Sequence, residues 1–483
     1  MKKYLSLALA LIMVLGLFAG CTPSETEPET TNAAVTETGK VDDTKTWWGE
    51  ADGKTPVKLR FWGAVGEEYG YKAICENFNK AYGDRGLTVE YVLYKNNTDG
   101  NTQLETQLST GDGIDCFIGY GSLTTLEDRG KKNLVCDLSS YLKEMKFDVA
   151  TEMGNAAAKD VVHEDGTVYG IPSKFDNNGM MLINVDMFKE KGVEIPYTGW
   201  TYSEFKAAVE KLTTAETKGV CWYCQGISNA YVYVRGTMGD YYYYTDDSAE
   251  KAAFENPIWA EGLDLVKETM EKGWACGYGE CKSEKHAVAN FLQGECAIFG
   301  LFSQIRQCMD TENYPHEFVT ALVPCPVPDS MGDNAQLKTM AHMTYTGEYL
   351  SVCNQSKHPE QAAEFIRWFL QGGMYPSIMA GRYPLWQGSK TEDIMNTIKS
   401  MAGDLVDTKS IEMIFSVDRS NLNKHAPSTK VDSKVTSALK KAWEGYLATG
   451  EDQQFKTAAE AMAAAQKEAQ AAIDDAIKND KLH

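Results

Sequence analysis

The sequence predicts an α/β protein of two domains, on three observations. Residues 57–119 run through strand and helix patterns in the order β-α-β-α-β. At 483 residues the chain is longer than one hydrophobic core usually organises. Extended runs at 168–172 and 180–184 then restart the strand pattern in mid-chain, between helical segments.

The first segment is a targeting signal. Lys2 and Lys3 precede an apolar run over 5–18, too short to span a bilayer but suited to a signal-peptide core. Ala19, Gly20 and Cys21 resemble a bacterial lipobox, with Phe18 where Leu is usual. Residues 1–20 therefore read as a signal peptide and Cys21 as the lipidated residue. Residues 21–56 read as a lipid-linked, disordered tether, because Thr, Glu and Pro dominate its first half and bury too little to offset chain entropy. Trp47 and Trp48 read as packing on the outside of the next domain. No later segment is apolar and long enough to span a membrane, so the membrane is reached through the anchor only.

A formal charge of -21 argues against nucleic acid and anionic membrane surfaces as ligands. It suits a monomeric extracellular protein. The twelve cysteines become an odd set once Cys21 is assigned to lipid. Cys221-x-x-Cys224, with Cys276 and Cys281 further on, has spacing open to a zinc site or a redox pair. No His stands at ligand spacing, and Trp222 and Tyr223 fill the motif, so the reading is core cysteines, reduced or locally bridged, with no metal and no cofactor.

The first domain opens on an alternating strand over 57–63, a helix over 71–82 with Ile74 and Phe78 on its apolar face, and a strand over 87–92. A helix around Leu104 and Leu108 stops at Gly111, and a third strand covers 114–119. Parallel α/β sheets bind ligands at the carboxyl ends of their strands. Those ends carry Trp62 and Tyr120, each beside a glycine, and both are candidate ligand rings. Further on, the polar loop around Phe175, Asp176 and Asn177 forms a second candidate group. Thr201 and Glu204 stand three apart as a capping box, with Trp200 and Phe205 placed as a hydrophobic staple. The segment 222–244 is the most aromatic in the chain, and Tyr231 and Tyr233 are its candidates. Residues 256–272 are helical with Pro257 in the first turn, and Trp259 reads as core. A sugar needs ring faces for its C–H patches and directed polar partners for its hydroxyls, which is the residue mixture these groups offer.

Several of these runs are similar to one family. The Gly-Thr-Val-Tyr-Gly-Ile-Pro run at 166–172, Asn184-Val185-Asp186-Met187-Phe188 and Thr201-Tyr202-Ser203-Glu204-Phe205 resemble the extracellular solute-binding proteins of ABC importers that include the maltose-binding proteins. So does Gly111-Asp112-Gly113-Ile114-Asp115, with Ile114 in place of the usual Pro and Asp115 read as a structural brace. The run 291–300 and the helix opening at 354–360 also match. The resemblance implies a two-lobed, periplasmic-binding-protein-like fold with a ligand cleft and three hinge crossings, near 168–172, 297–303 and 351–355. It implies a first lobe of 57–168 plus 300–352 and a second of 169–299 plus 353–483. Where relatives show Trp after the second of these runs, this chain has Ser303 and Gln304, candidates as hydrogen-bonding groups. Arg382 and Trp386 fall where relatives dip a loop into the cleft, Arg to grip oxygens and Trp to stack.

The function implied is capture of a carbohydrate, an oligosaccharide, by lobe closure and its delivery to the transmembrane subunits of an ABC permease. No catalytic residue is assigned: Gly-x-Ser-x-Gly is absent, Trp48 occupies the first glycine position of a P-loop ending at Thr55, and Thr320 stands where a zincin would need His. Two alternatives stay open: a secreted carbohydrate-active hydrolase, since two carboxylates suffice for that chemistry, and a binding protein for a peptide or amino acid.

Overall fold

The computed structural model describes residues 39–95, 98–119, 123–177, 180–222, 244–246, 248–283, 287–299, 305–309, 311, 313–332, 343–345, 348–415 and 429–482. Residues 36–483 form one unit, and the other, 1–35, lies wholly outside the described residues. Among the described residues the strands are β1 (Val57–Gly63), β2 (Leu87–Leu93), β3 (Cys116–Gly119), β4 (Ile171–Pro172), β5 (Lys174–Asn177), β6 (Met180–Asn184), β7 (Lys218–Cys221), β8 (Cys296–Phe299), β9 (Thr320–Pro324), β10 (Met343–Tyr345), β11 (Tyr349–Val352) and β12 (Tyr383–Pro384).

The first sheet has the order β2-β1-β3-β11-β4. Its first three strands are parallel, and β11 runs antiparallel to β3 and β4. The alternation in β1 sends Leu59 and Phe61 into a core built on the helix Tyr71–Tyr82, whose Ile74 and Phe78 are buried at the predicted spacing. Asp115 braces the turn before β3, accepting from the Arg60 amide at 2.9 Å and the Ser356 hydroxyl at 2.6 Å.

The second sheet has the order β7-β8-β6-β9. Its inner strand β6 is buried along its whole length, and β9, which ends in Pro324, takes an edge where a missing amide costs nothing. The capping box forms: Thr201 Oγ1 accepts from the Glu204 amide at 3.3 Å, and Glu204 Oε2 accepts from the Thr201 amide at 2.7 Å. The rings of Trp200 and Phe205 meet edge to face at 5.1 Å, completing the staple before the helix Tyr202–Leu212. Asn256 caps the helix Pro257–Glu271, and Trp259 is core.

The third sheet is small, with the order β10-β5-β12, and it corrects the expected crossings. The first crossing leaves the first sheet at β4, the end of the expected stretch, and reaches the second at β6 through β5. Of the expected crossing at 297–303, residues 297–299 are described and lie in β8, and the next strand, β9, belongs to the same second sheet, so no change of sheet separates these two strands. The chain returns instead through β10 to β11. The expected crossing at 351–355 also moves: the helix Pro359–Trp368 packs on the first sheet, with Phe365 5.1 Å from Phe61 and 5.0 Å from Phe78. The last crossing is β12, so the helix Pro359–Trp368 stays with the first sheet and β9 belongs to the second, the reverse of the expected assignment.

The stretch 39–56 also departs from the disordered tether expected of it. Trp48 is only 2% exposed and packs edge to face on Tyr82, so it is core and not an outer decoration. Backbone groups fasten the rest: the Asp42 amide donates to Tyr82 Oη at 3.0 Å, the Trp48 amide to the Arg85 carbonyl at 2.7 Å, and Arg367 Nη2 to the Lys40 carbonyl at 2.8 Å. Main-chain hydrogen bonds need no apolar side chains, which is why composition gave no sign of this docking.

Candidate functional site

All three crossings meet in the third sheet. β5 pairs with β10 on one side, Phe175 opposite Tyr345, and with β12 on the other, Phe175 opposite Tyr383. Ser173, between β4 and β5, ties them further. Its amide donates to the Glu348 carbonyl at 3.3 Å, and its carbonyl accepts from the Leu385 amide at 3.2 Å. One residue of the first crossing is thereby bonded to both of the others.

A buried charge cluster sits at this junction. Lys174 Nζ lies 3.2 Å from one oxygen of Glu348, and Arg382 Nη1 pairs with the other. Burial alone would raise the Glu348 carboxyl, but the two cations and their hydrogen bonds outweigh it and hold the group below its usual range. Arg382 also lies over the ring of Tyr71, 5.9 Å from its centroid, in the helix that carries the first core.

The described candidates divide in their placement. Trp62 is 6% exposed, donates from Nε1 to the Gly113 carbonyl at 2.7 Å and packs against Tyr94. Phe175 is fully buried against Tyr383 at 5.6 Å, so its ring holds the hinge sheet together. Asp176 and Asn177 lie beside it in β5, paired in register with Thr344 and Met343. Trp386 is 7% exposed and donates from Nε1 to Glu152 Oε2 at 2.6 Å, and the same oxygen accepts from Gln371 Nε2 at 2.8 Å. The hinge thus gathers Phe175, Asp176, Asn177 and Arg382, while Trp62 sits at the end of β1. Cys21, Tyr120, Tyr231, Tyr233, Ser303 and Gln304 lie outside the described residues.

Sequence reasoning missed Lys174, Glu348 and Glu152. The available signal was slight: Lys174 and Glu348 each abut a run of buried residues, Lys174 just after β4 and Glu348 just before β11. Among the described residues no group of His, Cys, Asp or Glu side chains is arranged to hold a metal ion, and no helix is long and apolar enough to cross a membrane.

Two α/β sheets joined by three strands of a hinge define a two-lobed binding-protein fold. A family model described as bacterial extracellular solute-binding protein matches residues 73–385, more than half of the chain, and the chain belongs to that family. No curated protein matches it in sequence. Solved structures match its fold. One is a sugar transporter from Rhizobium etli in an open conformation, with a TM-score of 0.62, 17% identity and coverage of 86% of this chain and 99% of that one. A Listeria monocytogenes ABC substrate-binding protein in complex with cycloalternan gives 0.60, 18%, 88% and 99%. The cyclic alpha-maltosyl-1,6-maltose binding protein of Arthrobacter globiformis gives 0.60, 18%, 87% and 100%.

Proposed function

We propose that this protein captures a carbohydrate, an oligosaccharide, between its two lobes and hands it to the transmembrane subunits of an ABC importer. The observation that carries the reading is the hinge: three crossings are gathered in one short sheet between two larger ones, an arrangement about which two lobes can turn. A ligand touching both lobes then favours the closed state by its differential affinity for it. The sugar class is supported by the fold neighbours from Listeria, in complex with cycloalternan, and from Arthrobacter, a cyclic alpha-maltosyl-1,6-maltose binding protein. Tyr120, Tyr231, Tyr233, Ser303 and Gln304 complete the ligand site in this proposal, with Asp176, Asn177 and Arg382 at the hinge, Trp62 at the end of β1 and Trp386 just after β12. Lipid on Cys21 holds the monomer at the outer face of the membrane, and no bond of the ligand is broken.

A thermal-shift screen of the chain from residue 36 onward tests this, because residues 39–48 are docked and belong with the domain. Mono- and oligosaccharides are set against amino acids and short peptides. An oligosaccharide that raises the midpoint with concentration and is recovered intact by mass supports the proposal. Stabilisation by amino acids or peptides alone overturns the sugar assignment, and cleavage of the stabilising sugar overturns the transport reading in favour of a hydrolase.

A further inference from the structure

Cys221 of the Cys221-x-x-Cys224 motif has two further sulfurs near it in the fold, while Cys224 lies outside the described residues. The amides of Gly219 and Val220 in β7 both donate to the Trp274 carbonyl, at 3.0 and 3.3 Å, which pins the loop after the helix Pro257–Glu271 against this strand. Cys276, two residues beyond Trp274, is thereby set beside Cys221 at the end of β7. The turn that follows folds Cys281 back onto it: the Cys281 amide donates to the Gly277 carbonyl at 2.9 Å, and its thiol to the Cys276 carbonyl at 3.4 Å. The side chains of Cys221 and Cys281 both lie within reach of the Cys276 sulfur. Cys221 and Cys281 are buried, whereas Cys276 is partly exposed.

We propose that Cys276, flanked by Cys221 and Cys281, is a thiol–disulfide exchange site, a partly exposed nucleophilic sulfur with two buried resolving thiols, whose substrate is a low-molecular-weight disulfide. The thiol donors hold Cys276 well below the usual thiol range, against the cost of burial and with help from the charge of Lys218. Isolated buried thiols in this protein behave oppositely: burial pushes Cys75 and Cys308 up to about 12. The Cys276 thiolate attacks one sulfur of the small disulfide, forming a mixed disulfide and releasing one thiolate. A thiol of Cys221 or Cys281 then gives its proton to that leaving thiolate and attacks the Cys276 sulfur, expelling the second small thiolate, which takes a proton from solvent. Two protein thiols are oxidised to one disulfide, and one small disulfide is reduced to two thiols. The site lies in the second sheet, away from the hinge cluster, and stands independently of the ligand assignment.

The test uses the full chain, reduced under nitrogen and treated with oxidised glutathione, with the thiols mapped by peptide mass. The proposal expects a disulfide joining Cys276 to Cys221 or Cys281, and glutathione retained on Cys276 in a Cys221→Ala/Cys281→Ala double variant. In untreated wild type, iodoacetamide should label Cys276 about tenfold faster than buried Cys136, a measurement that depends on no variant folding. A Cys221–Cys224 bridge formed alike in wild type and Cys276→Ala overturns the proposal, as does slow labelling of Cys276. Stoichiometric zinc on the reduced chain, leaving these thiols inert to oxidised glutathione, overturns it in favour of a metal site.

Discussion

Lys174 Nζ stands 3.2 Å from a carboxylate oxygen of Glu348, and the pair joins the first crossing of the chain to the second. Arg382, from the segment entering the third crossing, takes the other oxygen. Both Lys174 and Glu348 are less than one-tenth exposed, so each charge depends on its partners where water cannot replace them. Through this carboxylate the three crossings are linked.

Glu348→Gln should therefore destabilise the protein by about 3–5 kcal/mol at neutral pH, because it removes the carboxylate with which both buried cations pair. The sign of the pH dependence follows from the lowered carboxyl. Its stabilisation is complete above the ordinary glutamate range and is lost as pH falls through the depressed folded value. Denaturant titrations at several pH values should show a gap between wild type and variant that closes on acidification.

Asp160 has the opposite sign. In the helix Asn155–Val161, burial raises its carboxyl to about 6 against a small opposing effect of Lys159. A carboxyl raised on folding costs stability once pH exceeds the folded value, and that cost fades as pH falls back through the window from about 6 to 4. Asp160→Asn should gain about 1–2 kcal/mol at pH 7.5, after discounting for solvent screening. At pH 4 the gain should vanish; an equal gain at both pH values would show that packing, not charge, is responsible.

Thr201→Ala should cost about 1 kcal/mol, the usual value of an N-cap side chain. The loss removes one half of the capping box with Glu204 and leaves the staple of Trp200 on Phe205 in place. Chemical denaturation reads it, and affinity for any ligand should not change.

Tyr231→Ala and Tyr233→Ala divide the candidates of the aromatic segment. One of the two should weaken oligosaccharide binding at least about tenfold, the loss of one stacking ring, while the unliganded midpoint stays put. Titration calorimetry decides it, and unchanged affinity in both variants removes the segment from the site.

Cys21→Ser in the producing cell should move the protein from the membrane fraction to the medium. Incorporation of labelled fatty acid into the wild type, and its absence from the variant, is the direct measurement. A membrane-bound variant would place the anchor elsewhere.

The sequence by itself determined what depends on neighbours along the chain. β1, β2 and the helix Tyr71–Tyr82 follow from periodicity, and the capping box at Thr201 and the proline opening at Pro359 follow from local backbone chemistry. Family motifs supplied the two-lobed fold, since those runs are contiguous. Tertiary structure alone decided the crossings. β8 and β11 are short and wholly buried, and such strands read alike whichever sheet they join, so the run at 297–299 carries no mark of its lobe. The hinge sheet draws on three segments up to about two hundred residues apart, and the Lys174–Glu348–Arg382 cluster exists only once they meet. Pattern along a chain records the period of burial; it does not record which distant partner shares the burial or the charge.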